Sequence, residues 1–388
     1  MIKKEKNNWY LGISVFVFVI IFLIFGASLI QQKLGMWGLA LTEIILLLFG
    51  LIPILLCKWK LSDVIPMKVP QLKQVVAILL LYIGSTLCIT VISTITTYLF
   101  PQSVNSSIEI VNFYSSVPFV LSLIFMAVMP AICEEVLHRG FILFTLKNNN
   151  KLITMLLMAI IFGIFHLDPY RFLPTALLGF VLTYIMIKTE NILLPIIFHF
   201  INNAISVAIS YNSESISSYV STETIGVCII LSSICPVLFY MANKMLTKKC
   251  SENKSKAKLK IFASTALLVT CGFLLIFLTP NVNIEPIYNI SLSEEVNSSA
   301  SPTIFDNILI EEPAEYDISA SMKDRDKEVI TTLVFENENG EKLWEIEGID
   351  LFANKPIFLN PGKYKVTFYY LYQDELSAMV DIKFGINK

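Results

Sequence analysis

Side chains suited to acid–base chemistry lie inside long apolar stretches of this 388-residue sequence. They include all three histidines of the chain. A carboxylate or imidazole can move a proton, and an imidazole beside an amide can donate hydrogen bonds to a developing negative oxygen. Because ionisable groups inside a membrane are costly without a partner or a water-filled cavity, this cluster predicts a functional site. Its members are Glu134, Glu135, His138, Arg139, His166, His199, Asn202 and Asn203.

Helix geometry separates the two adjacent glutamates. Residues four apart share a helix face, whereas neighbours diverge by about 100°. We therefore expect Glu135 to form an ion pair with Arg139. Glu134 faces elsewhere, so it either serves the site or pairs with His138, four residues further on. His138 itself is expected to be structural.

The three polar segments can meet at similar depths. With a rise of 1.5 Å per residue from the expected helix ends, Glu134 lies ~20 Å deep, His166 ~22 Å and His199 ~14 Å. Pro130 and Pro195 each precede one of these residues by four positions. Since proline removes a backbone hydrogen bond, both can open their helices to water.

The elements that must position these groups are apolar helices. Apolar residues make up 55% of the chain and charged residues 15%, below the roughly 25% charged residues of soluble domains. A helix that crosses a bilayer needs about 20 mostly apolar residues. The fifth and sixth apolar segments are short and are expected to be tilted or shielded. Nine spans of an all-α bundle are predicted, at about 9–30, 37–56, 75–100, 119–146, 152–167, 172–187, 192–210, 225–242 and 261–279.

The distribution of lysine and arginine orients these spans. Positive charge accumulates on the cytoplasmic side of a membrane protein. With nine spans, almost all Lys and Arg of the connections share the side of the N-terminus, and only Lys33 and Arg171 lie on the other. We therefore expect an integral protein of a bacterial plasma membrane, with a cytoplasmic N-terminus. Glu43, near the outer end of the second span, is expected to reach the interface or Lys33.

The C-terminal part has another composition. Residues 281–388 contain 20 Asp and Glu against 9 Lys and Arg, and all seven cysteines precede them. Residues 281–303 are expected to be a linker. The Asn339-Gly340 pair predicts a hairpin, and residues 304–388 a small extracytoplasmic β-sandwich. The predicted strands are 314–322, 328–337, 341–347, 362–373 and 376–386.

Three short motifs occur in order on separate predicted spans. Glu134–Gly140 matches EExxxR, Phe162–His166 matches FxxxH, and His199–Asn203 matches HxxxN. In this combination they resemble the CAAX-protease and bacteriocin-processing family, which includes the Ras-converting CAAX endoproteases. The resemblance covers about residues 75–245, within an expected membrane protease domain over residues 1–280.

The resemblance implies an intramembrane endopeptidase. Glu134 and His166 would activate a water, and His199 and Asn203 would stabilise the oxyanion of the tetrahedral intermediate. The substrate would be a peptide or protein at the membrane. The supporting residues would be Glu135, Arg139 and Phe162.

The cofactor is a separate question, because the family has been classed with metalloproteases. The sequence has no HExxH motif. Glu134, His166 and His199 are nevertheless residue types that zinc accepts, and three ligands would leave one position for water. A water held by Glu134 and His166 needs no ion, so we expect metal-free chemistry with zinc as the alternative.

A function of a different class is a non-catalytic membrane adaptor or bacteriocin-immunity protein that keeps the polar cluster for folding. A transporter is a weaker alternative, since such proteins often contain inverted repeats and none is evident here. The lysines between Lys244 and Lys260 are expected to contact anionic lipid rather than nucleic acid. The substrate, the ligand of the β domain and the oligomeric state are not predicted.

Overall fold

Long apolar helices form the first of two units into which the chain divides, Met1–Thr279 and Pro280–Lys388. The structure is a computed structural model. It describes residues 8–100, 103–104, 111, 117–146, 150–212, 220, 222–247, 254–278, 288–296, 301–324, 329–348, 350–372 and 378–387.

The described helices of the first unit follow the apolar segments of the sequence. They are α1 (Trp9–Leu34), α2 (Met36–Leu56), α3 (Leu61–Val64), α4 (Leu72–Leu99), α5 (Phe119–Leu146), α6 (Lys151–Phe165), α7 (Phe172–Thr189), α8 (Leu193–Asn212), α9 (Thr222–Leu246) and α10 (Lys254–Leu278). Within the described residues, eight of them are long and apolar enough to cross a membrane: α1, α2, α4, α5, α7, α8, α9 and α10.

The fifth predicted segment, residues 152–167, is short, as expected from the sequence. It corresponds to α6, which has 15 residues and is not among the eight helices that are long enough to span. A helix of that length measures about 22 Å, less than the ~30 Å of a hydrocarbon core. The cause is local, because the helix ends at His166 and the next residue, Leu167, adopts a left-handed backbone with φ of 53°.

Helix α6 packs closely on α7, to which a six-residue connection joins it. At Gly179 of α7, an added Cβ would lie 2.7 Å from the Cβ of Phe162 on α6, so only glycine permits this approach. The two helices therefore form an antiparallel pair, and the start of α6 at Lys151 and the end of α7 at Thr189 lie at the same end of the pair.

Helix α5, which contains the adjacent glutamates, departs twice from α-helical geometry. Leu123–Val128 and Val136–Ile142 are π-helical. The first widened turn precedes Pro130, whose missing N–H interrupts the helical hydrogen bonds at that point. Such π segments occur frequently at functional sites.

Helix α2 runs parallel to α5 along its length. Trp37 contacts Phe125 near one end, with ring centroids 5.3 Å apart. Near the other end, a Cβ at Gly50 would lie 3.1 Å from the Cα of Leu137. The residue numbers of the two contacts increase together on α2 and α5, so the helices run in the same direction. Residues of α2 between Trp37 and Gly50 therefore lie beside the glutamates of α5.

The second unit consists of two antiparallel four-stranded sheets, ordered β1-β8-β3-β6 and β2-β7-β4-β5. Both sheets contribute to one core, in which the rings of Phe335 and Phe384 lie 5.7 Å apart. Gly340 has a φ of 79° and closes the predicted hairpin between β4 and β5. The strands are β1 (Tyr288–Val296), β2 (Thr303–Ile310), β3 (Ala314–Asp324), β4 (Val329–Asn337), β5 (Lys342–Gly348), β6 (Asp350–Leu359), β7 (Gly362–Tyr372) and β8 (Ala378–Asn387).

Three of these strands are absent from the sequence prediction. β1, β2 and β6 are all edge strands of their sheets. β1 is rich in polar residues and β6 contains Pro356, both of which are common in edge strands and resemble loops. β2 is mostly apolar but is interrupted by Asp306 and Asn307, and Asn307 has a left-handed backbone with φ of 59°. The expected linker 281–303 is consequently wrong over β1, and its residues 281–287 and 297–300 lie outside the described part of the chain.

The antiparallel pairing of α6 and α7 makes a prediction about the C-terminal unit. As the antiparallel partner of α7, α6 would be a ninth crossing beside the eight helices that are long enough to span. With nine crossings, the two ends of the chain would lie on opposite sides of the membrane. A cysteine introduced at the exposed Ser301 should react with an impermeant thiol reagent on intact cells. Cys250, in the lysine-rich segment after α9, should react only after permeabilisation. Labelling of Cys250 on intact cells would contradict this orientation.

Candidate active site

Glu135 is the centre of a buried ion network. Its Oε1 accepts a hydrogen bond from Nη1 of Arg139 at 2.8 Å and another from Nδ1 of His199 at 2.9 Å. The carboxylate is fully buried and His199 nearly so. The contact to Arg139 has the spacing expected from the sequence, whereas the contact to His199 joins α5 to α8 and was not expected.

Arg139 has further partners that hold it between helices. Its Nη2 donates to the backbone oxygen of Gly179 on α7 at 3.2 Å. Its guanidinium carbon lies 4.3 Å above the ring of Phe162 on α6, a cation–π contact. Arg139 of α5 thus contacts both α6 and α7, and Glu135 neutralises its charge.

Phe162 lies among the three histidines. Its ring centroid is 4.9 Å from that of His166, 5.2 Å from that of His138 and 5.9 Å from that of His199. All three contacts are edge-to-face, which aromatic rings prefer. The phenyl ring is fully buried, so it fixes the orientation of the imidazoles by packing.

Glu134 faces a cavity rather than the ion network. It lines a cavity of about 310 Å³, and its Oε2 has no hydrogen-bond partner among the described residues. That volume has room for several water molecules. The polar residues of the cavity wall are Ser28, Gln31, Thr42, Glu43, Glu134 and His166.

His138 does not bind the carboxylate of Glu134. Its Nδ1 donates instead to the backbone oxygen of Glu134 at 2.8 Å, and the ring is fully buried against Phe162 and Phe165. A pairing of the Glu134 carboxylate with His138, one alternative from the sequence, is therefore absent.

His166 shares the cavity with Glu134. Its Nδ1 lies 2.9 Å from the backbone oxygen of Phe162 and must carry a hydrogen to donate to it. In a neutral ring, Nε2 then has the lone pair and can accept a proton. His166 follows the last residue of α6, so the end of that short helix sets its depth.

His199 and Asn203 lie one turn apart on α8, and neither lines the cavity. His199 and His166 both contact the ring of Phe162. The side chain of Asn203 accepts a hydrogen bond from Nδ2 of Asn202 at 3.1 Å through its Oδ1, and its own amide nitrogen remains a donor.

Glu43 is a residue of this region that the sequence analysis assigned wrongly. It was expected at the interface or with Lys33. Instead it is 4% exposed and lines the same cavity as Glu134, and no described residue forms a hydrogen bond with its Oε2. The sequence did contain a signal for this position, because an acidic residue within a membrane span indicates a functional site.

The zinc alternative requires Glu134, His166 and His199 to converge. Among the described residues, no group of three His, Cys, Asp or Glu side chains is positioned to hold a metal ion. The three proposed ligands therefore do not fit a zinc site in this conformation.

Comparison with known proteins identifies a family over the segment that contains the three motifs. Residues 116–205 match the family described as "Rce1-like: Type II CAAX prenyl endopeptidase Rce1-like". The recognition of the CAAX-protease family from the motifs is thereby confirmed. No curated protein matches the chain, and neither does any solved structure. The family match and the eight apolar helices identify an integral membrane protein.

The ion network makes a prediction about stability. Glu135→Gln should leave Arg139 and His199 without their carboxylate, and loss of one partner of a buried pair costs about 3–5 kcal/mol. Arg139→Gln should be similarly destabilised, while the double variant Glu135→Gln/Arg139→Gln should recover part of the loss. Thermal unfolding of purified protein measures these changes, with the exposed Glu223→Gln as the control. Unchanged stability in both single variants would contradict the network's role.

Proposed function

We propose that this protein is an intramembrane endopeptidase that hydrolyses a peptide bond in or near the membrane. One observation carries the proposal: Glu134 and His166, from helices α5 and α6, line one cavity within the segment that matches the protease family. The substrate is a peptide or a protein segment that enters this cavity.

Glu134 and His166 activate the attacking water. The unpartnered Oε2 of Glu134 can accept a proton from water in the cavity. The hydrogen bond from His166 to Phe162 leaves the Nε2 lone pair of the neutral ring as a second acceptor. A general base so positioned typically contributes roughly 10²–10⁴-fold in rate.

His199 and Asn203 stabilise the oxyanion. His199 already donates its Nδ1 hydrogen to Glu135, so its Nε2 can donate to an oxyanion only in the doubly protonated ring. Asn203 offers an amide nitrogen from the next turn of α8, and substrate entry would bring both donors to the carbonyl.

Glu135, Arg139 and Phe162 support these residues without touching the reacting atoms. Glu135 orients His199, Arg139 balances its charge, and Phe162 packs against the imidazoles. Preorganised groups of this kind increase rate because they need not reorganise during the reaction.

The remaining parts of the chain are assigned by their composition and fold. Residues 1–280 would be the protease domain. The acidic C-terminal β unit, on the extracytoplasmic side, would select or recruit substrates. A non-catalytic adaptor or immunity protein is the alternative function, and the next experiment separates the two.

Glu134→Gln should keep the fold and substrate binding but remove the proton acceptor. We expect kcat to fall roughly 10²–10⁴-fold. Cleavage of a membrane-inserted peptide by purified protein in vesicles provides the measurement, together with peptide binding and thermal unfolding. Glu223→Gln, which changes an exposed glutamate in the same way, should keep full turnover. Normal turnover in Glu134→Gln would refute its role as the base, and binding without cleavage by the wild-type protein would favour the adaptor.

A metal-free mechanism predicts that dialysis against a chelator leaves turnover unchanged. A histidine that binds a metal through one ring nitrogen often donates the hydrogen of its other nitrogen to a carboxylate. His199 donates to Glu135 in this way, so the zinc content must be measured directly. Elemental analysis of active protein should find no stoichiometric zinc. Zinc that is lost together with activity, and restores activity on return, would reverse this assignment.

A further inference from the structure

Two carboxyl groups face the same cavity, and the proposed mechanism uses only one of them. Glu134 is on α5 and Glu43 is on α2. Each is more than nine-tenths buried, and neither Oε2 has a hydrogen-bond partner among the described residues. Both side chains line the cavity of about 310 Å³. Glu43 lies outside residues 116–205, the segment that matches the protease family.

The packing of α2 on α5 brings these two carboxyl groups together. Gly50 permits the backbone of α2 to approach Leu137, one turn after Glu134. Glu43 lies two turns before Gly50 on the same face of α2, which also buries Leu46 and Ile54. A larger residue at position 50 would separate the helices and withdraw Glu43 from the cavity.

The charges around the cavity do not support two carboxylate ions. No lysine or arginine is among the described residues that line it. Arg139 is the nearest cation along α5, but its hydrogen bonds go to Glu135 and Gly179. Two carboxyl groups that face one site without a counter-ion cannot both be ionised at low cost, and one of them retains a proton.

We propose that Glu43 is a second acid–base residue of the active site, which holds a proton beside ionised Glu134 and donates it to the leaving nitrogen. This inference rests on the proposed peptidase function. Glu43 would thus supply the general acid that the three family motifs leave unassigned in this chain.

The proton transfers balance over one turnover. Glu134 takes a proton from water as the water oxygen bonds to the carbonyl carbon. Glu43 gives its proton to the nitrogen as the carbon–nitrogen bond breaks, and the products are a carboxylic acid and an amine. Glu134 is then protonated and Glu43 ionised. Transfer of that proton from Glu134 to Glu43 across the cavity restores the starting state.

The titratable groups that surround Glu43 in the described chain are few. Glu134 of α5 and His166 at the end of α6 line the same cavity as Glu43, and the buried Cys133 precedes Glu134 on α5. On its own helix and on α1, the polar neighbours in the cavity are Thr42, Gln31 and Ser28, which do not titrate in the working pH range.

The test compares Glu43→Gln with the wild-type protein in vesicles. We expect kcat to fall roughly 10²–10⁴-fold with KM unchanged, as for loss of a general acid. The fall of the wild-type rate at high pH, caused by ionisation of the acid, should disappear. Glu43→Asp, which keeps the carboxyl group, should retain part of the activity and the high-pH fall. Glu223→Gln is the matched control.

A second readout does not depend on turnover. The infrared band of a protonated carboxyl group at neutral pH should be present in the wild-type protein and in Glu223→Gln, and lost in Glu43→Gln. Normal kcat per folded molecule in Glu43→Gln, or an unchanged infrared band, would overturn the role of Glu43 while leaving the peptidase intact. Absence of hydrolysis by the wild-type protein would instead remove the proposed function, and the acid role with it.

Discussion

A buried arginine inside a membrane bundle sets the central constraint on this structure. Arg139 is fully buried, and its charge must be matched where no water can solvate it. Glu135 provides the match, and the same carboxylate oxygen also binds His199. Through Gly179 and Phe162 the arginine contacts two further helices. Four helices therefore meet in one arrangement that satisfies these charges.

In that arrangement the two adjacent glutamates have different surroundings. Glu135 binds Arg139 and His199. Glu134, on the next face of α5, lines a cavity, and its Oε2 has no hydrogen-bond partner among the described residues. An unpaired buried carboxyl group is costly, and in a membrane protein such a cost marks a functional position. The same reasoning applies to Glu43, which another helix brings to the same cavity. We thus assign a stabilising role to Glu135 and propose acid–base roles for Glu134 and Glu43, which face the cavity.

Sequence reasoning succeeded where the signal was local and failed where it depended on packing. The spacing of Glu135 and Arg139 predicts their ion pair, and the Asn339-Gly340 turn predicts its hairpin. The position of Glu43 could not be predicted, since it depends on how closely α2 approaches α5 at Gly50. The three missed strands are all edge strands, and each has a local feature of loops: polar residues in β1, Asp306-Asn307 in β2 and Pro356 in β6. The bounds of the short α6 were predicted to within two residues, because Asp168 and Pro169 interrupt the apolar run just after His166.

The most direct test of peptide hydrolysis uses no variant at all. Purified wild-type protein in lipid vesicles would be incubated with a library of apolar peptides, and the products would be sequenced by mass spectrometry. We predict defined fragments whose new ends fall at a restricted set of positions, and which are absent after heat denaturation. Peptides that are retained by the protein but remain intact would contradict the claim that this cavity performs hydrolysis.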